Sequence, residues 1–107
     1  MGKMTYDGTA RLVVDDRELA HLQFVISDKL RRREPFTFTW TSPLEEGGGR
    51  VAAWINPSAA LVFAFDRRGP HGLNPAWLRV LAEAAHSPAG LRLIPEAEAD
   101  EQAADEF

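Results

Sequence analysis

Apolar and polar positions change period several times along this chain, and each change predicts an element. Met4–Tyr6 and Ala10–Val14 read as short strands joined by Asp7-Gly8, a dipeptide suited to a tight hairpin turn. Leu19, Leu22, Ile26 and Leu30 then fall in one stripe at about 100° per residue, the face of a helix that meets a sheet. Asp15 or Asp16 supplies its N-cap, with Glu18 at capping-box spacing from Asp15. The cations Lys29, Arg31, Arg32 and Arg33 occupy its last turn, and Pro35 prevents continuation. Phe36, Phe38 and Trp40 alternate with Thr37, Thr39 and Thr41, a strand with an aromatic face and a threonine face.

The Gly-rich stretch Ser42–Gly49 predicts an exposed loop. Val51–Ile55 and Ala60–Phe65 read as strands around the turn Asn56-Pro57-Ser58. Asn74-Pro75 is an N-cap followed by proline at the first helical position. That second helix presents Trp77, Leu78, Leu81, Ala84 and Ala85 inward, with Arg79, Glu83 and His86 toward water. Leu91–Ile94 is a last strand. The order β-β-α-β-β-β-α-β predicts an α+β two-layer sandwich, a mainly antiparallel sheet with two helices on one face. Residues 1–95 form the single domain; residues 96–107 read as an acidic disordered tail.

Charge changes this picture in one respect. The net charge is -4 over 107 residues, yet six of the sixteen carboxylates follow Pro95 and all twelve Lys and Arg precede it. The body is therefore mildly basic, near +2, beside a strongly acidic tail. There is no cysteine for disulfides or thiolate metal sites, and no apolar run approaches the ~20 residues of a membrane span. Without a signal peptide at the start, the expectation is a cytoplasmic protein with no membrane partner.

Several residues together carry a family resemblance. They are Met1-Gly2-Lys3 with Tyr6 and Gly8, Asp15-Asp16-Arg17 with Leu19-Ala20-His21-Leu22, and Lys29-Leu30-Arg31-Arg32 with Glu34 and Phe36. Trp54, Asn56-Pro57-Ser58, Asn74, Trp77 and Gly90-Leu91 continue the pattern. Across nearly all of residues 1–96 the chain resembles an uncharacterised family of small actinobacterial proteins, often labelled "ATP-dependent DNA ligase". The label implies a DNA-repair setting. Such ligases use a lysine nucleophile in Lys-x-Asp-Gly, within a nucleotidyltransferase domain far larger than this chain. Here three residues intervene between Lys3 and Asp7-Gly8 where the motif has one, and Asp7-Gly8 falls at the predicted hairpin, so the residues read as non-enzymatic.

No other catalytic constellation emerges. His21, His71 and His86 are scattered without ligand spacing and read as surface residues; no metal or cofactor is expected. Gly47-Gly48-Gly49-Arg50 precedes a strand rather than a helix and lacks the phosphate-loop lysine. Two surfaces remain. Phe24 lies about 150° from the core stripe and is expected to be exposed. The sheet face bearing Thr37 and Thr39 gains Trp54 and Val62 if the strands pair in the simplest way, a half-apolar surface suited to an interface. The leading expectation is a protein-association module, a homodimer or a subunit bound to a protein partner. The alternative is a nucleic-acid-binding accessory protein using Lys29, Arg31, Arg32, Arg33, Arg67 and Arg68 as phosphate contacts.

Overall fold

Asp7 and Gly8 both adopt positive φ, 50° and 72°, and reverse the chain between β1 (Gly2–Tyr6) and β2 (Ala10–Val14) with Tyr6 opposite Ala10. A computed structural model of the chain describes residues 1–105. Helix α1 (Asp16–Arg31) starts at Asp15, whose carboxylate accepts the Glu18 N–H at 2.8 Å. Its end is a Schellman motif: the Arg33 N–H donates to Leu30 O and the Glu34 N–H to Lys29 O, both at 3.0 Å. Arg33 takes the left-handed position there, with φ of 58°. The helix therefore closes two residues before Pro35 has any effect.

Strand β3 (Phe36–Thr41) leads through a 3-10 turn at Leu44–Glu46 into β4 (Arg50–Ile55). Asn56 then makes the next turn, its Oδ1 accepting the Ser58 N–H at 2.9 Å, and β5 (Leu61–Ala64) follows. Helix α2 (Pro75–His86) is capped by Asn74, which accepts the Ala76 N–H at 3.0 Å. A two-residue strand β6 (Leu91–Arg92) and helix α3 (Glu96–Asp105) complete the chain.

The α+β class and the chain order hold, but the strands form two three-stranded sheets. One has the order β2-β1-β5 and is antiparallel; the other has the order β4-β3-β6, with β6 parallel to β3. The simple meander expected of β4 and β5 is thus replaced. Asp7 explains the choice: its N–H donates to Ala60 O and its Oδ1 accepts the Ala60 N–H, both at 2.8 Å. That clamp delivers β5 to β1.

Both sheets share one core with the helices, built on Met4, Leu12, Leu19, Leu22, Ile26, Phe38, Ile55, Leu81 and Leu91. Each such side chain contributes roughly 1.5–3 kcal/mol on burial, against 0–1 for an exposed ion pair, so the core holds the fold. Val25 and Val80 join it beyond the expected stripes, while Leu30, Leu78 and Ala84 are half-buried.

The disordered-tail expectation is corrected for residues 96–105; Glu106 and Phe107 lie outside the described residues. Ala99 and Ala103, one turn apart, are buried, and α3 packs against α2. No helix among the described residues is long and apolar enough to cross a membrane.

Candidate association face and cationic cleft

In the β3–β4 ladder Thr37 stands opposite Trp54 and Thr39 opposite Ala52. The strand period of two sends Phe36, Phe38, Trp40, Ala53 and Ile55 into the core, so the threonines and Trp54 face outward. Trp54 is 58% exposed. The Tyr6 hydroxyl donates to the Trp54 carbonyl, and Asn56 Nδ2 donates to that hydroxyl oxygen at 3.4 Å, tying β4 to β1. A groove of about 510 Å³ runs beside Trp54 past Arg33, Pro35, Thr37 and His86. Val62 is exposed too, but it pairs with Thr5 in the other sheet. Its expected place beside Trp54 on one continuous sheet is therefore corrected: β5 joins β1, not β4.

A second cleft, about 750 Å³, lies elsewhere, between the outer side of α1 and the loop 65–73. Asp16 holds that loop in place. Its carboxylate accepts the Asp66 N–H at 3.1 Å and the Arg67 N–H at 2.9 Å. Against partial desolvation, those two donors keep the Asp16 carboxyl below its ordinary range. The cleft brings Phe24, which is 52% exposed as expected, together with Phe65, Pro70, Leu73, Arg31, Arg67 and Arg68. The Phe65 ring stacks on His71 with centroids 5.3 Å apart.

The six basic residues considered as phosphate contacts do not form one patch. Lys29 is buried, with Nζ 3.7 Å from Glu34 Oε1, which corrects its expected surface position. Its aliphatic stem belongs to the buried face of α1. Arg32 pairs with Asp28 at 2.6 Å and Glu34 at 3.5 Å. Arg33 lines the groove beside Trp54. Arg31, Arg67 and Arg68 share the cleft, and no ion pair or side-chain hydrogen bond engages their guanidinium groups among the described residues.

A polar hub that the sequence reading missed joins α1, α2 and α3. Arg17 donates to both oxygens of Glu96, at 3.0 and 2.6 Å, and to Gly72 O at 2.6 Å. Asn74 Nδ2 donates to Glu96 at 2.8 Å and to Asp100 at 3.0 Å. Arg17 and then Asn74 hold the Glu96 carboxyl down to about 2. His21, expected at the surface, is fully buried and packs on Trp77 with ring centroids 4.2 Å apart. Its Nε2 accepts the Asn74 N–H at 2.8 Å, so the proton of the neutral ring sits on Nδ1 and donates to Arg17 O at 2.7 Å. Burial lowers its pKa. Both ring nitrogens are thus occupied, and the hub is structural. The only sequence signal for it is helical spacing, which puts His21 one turn beyond Arg17.

Among the described residues no group of His, Asp or Glu is arranged to hold a metal ion. A family model described as Domain of unknown function (DUF7882) matches residues 1–96, ending on the glutamate that Arg17 grips. No curated protein and no solved structure matches the chain.

Proposed function

The chain belongs to that family of domains of unknown function, and we propose that it is a non-enzymatic association module that pairs with a second copy through the outer face of β3 and β4. The observation that carries this reading is Trp54: a large aromatic 58% exposed, opposite Thr37 and flanked along its strand by Ala53 and Ile55, which are buried in the core. Tryptophan is the residue type most often central to binding energy, and small neighbours such as Ala52 and Thr39 leave room for a flat partner surface. A two-fold pairing would cover the same patch on both copies. A cytoplasmic setting belongs to the same reading and is supported by the cysteine-free composition. The nucleic-acid alternative draws support from Arg31, Arg67 and Arg68 alone, because Lys29 is buried, Arg32 is paired and Arg33 lies in another groove.

Light scattering on a sizing column at moderate salt tests the proposal. The full-length chain, 11.9 kDa, is expected to elute with twice that mass. Trp54→Ala is expected to elute as a monomer with an unchanged far-ultraviolet circular dichroism spectrum. A monomeric wild-type protein at tens of micromolar, or a dimer that survives Trp54→Ala, overturns it.

A further inference from the structure

The cleft beside α1 is a second surface, and its chemistry differs from that of the Trp54 face. We propose that it binds a small aromatic phosphate of mononucleotide size, with the ring against Phe24 and the phosphate held by Arg31, Arg67 and Arg68.

The charge argument starts from what each lining group already contacts. Two carboxylates border the cleft, and both are engaged: Asp28 by Arg32 at 2.6 Å, Asp66 by the Met1 amino group. The three arginines have no such partner among the described residues, so the charge free to act is positive. Guanidinium groups match phosphate oxygens two at a time, which makes a compact dianion the favoured occupant. A double helix needs a long cationic track, and residues 1–95 carry a net of only about +2.

The apolar side points the same way. Phe24, Phe65 and Leu73 line one space without closing over it. His71 stacks on Phe65, so a second ring backs the aromatic wall of the cleft. A volume of about 750 Å³ lies within the roughly 300–1,000 Å³ of small-molecule sites. Because Asp16 already holds the loop at Asp66 and Arg67, little ordering cost attends binding. The shared chemistry, a base with a phosphate, has two sources: a free mononucleotide or an unpaired nucleotide of a single strand.

Nuclear magnetic resonance titration of the full-length protein distinguishes them. The probes are AMP, adenosine, ribose 5-phosphate and a six-nucleotide single-stranded DNA. AMP is expected to shift amides of residues 20–31 and 65–73, with adenosine and ribose 5-phosphate each binding about tenfold more weakly. Phe24→Ala is expected to weaken AMP about tenfold and leave ribose 5-phosphate unchanged, while Arg67→Ala with Arg68→Ala weakens both. Trp54→Ala is expected to leave AMP binding intact, which separates this site from the association face. Oligonucleotide affinity above that of AMP assigns the single-strand source; equal affinity assigns the free nucleotide. No cleft shift with 5 mM AMP or with the oligonucleotide overturns the proposal, as does a Phe24→Ala variant that binds AMP normally.

Discussion

Arg17 and Glu96 lie 79 positions apart in sequence and meet through two parallel hydrogen bonds, Nε to Oε1 at 3.0 Å and Nη2 to Oε2 at 2.6 Å. This pair fastens the start of α3 to the first turn of α1. Glu96→Gln keeps the size of the side chain but turns one acceptor oxygen into a donor facing Arg17 or Asn74. Amide hydrogen exchange over residues 97–105 is expected to accelerate about tenfold while the centre of α1 stays protected. Unchanged exchange would mean that Ala99 and Ala103 hold α3 by packing alone.

Stability should fall with acidification in two stages. His21 has its pKa lowered in the fold, so its contribution is complete above its ordinary value of 6.5 and declines below it. Glu96, held down to about 2 from 4.5, contributes fully above 4.5 and loses that contribution as the pH falls toward 2. Glu18 acts in the opposite sense, since burial raises its pKa and protonation relieves that cost. Thermal melts from pH 7.5 to 2.5 are expected to show Tm dropping from about pH 6.5 downward in the wild type. Glu96→Gln should flatten the part below pH 4.5 and spare the part above it.

Two residues with positive φ should respond in opposite directions to substitution. Arg33 is exposed with φ of 58° and carries a side chain where the Schellman motif favours glycine, so Arg33→Gly should stabilise by about 0.5–1 kcal/mol. Gly90, at φ of 86°, is buried under β3; a Cβ there would stand 2.4 Å from Thr37 O. Gly90→Ala should cost about 2 kcal/mol or more, lowering Tm by roughly 10 °C in a domain of this size. Calorimetry on both variants checks the pair, and equal shifts of one sign would refute the account.

The local elements were legible because their causes lie within a few residues. The alternation of Phe36, Phe38 and Trp40 with threonines placed β3 and its inward face. Asp15 and Asn74-Pro75 marked both main helix starts, and Asp7-Gly8 and Asn56 their turns. The exposure of Phe24 followed from helical angle alone. Lys29 was misread because a lysine in a basic run looks solvated, whereas helical phase places its stem toward the core and Glu34 meets the ammonium group.

The sequence by itself therefore determined the strands and first two helices up to residue 95, their caps and turns, and most of their inward faces, since backbone sterics and side-chain period act over short range. Only the tertiary structure decided that β5 pairs with β1 through the Asp7 clamp, leaving Val62 on a different sheet from Trp54. It also decided that α3 docks on the Arg17–Glu96 pair and that Phe24 shares a cleft with Arg67 and Arg68. These outcomes rest on partners roughly 40 to 80 residues apart, whose meeting depends on loop closure and on satisfying buried polar groups across the whole chain, which no local pattern records.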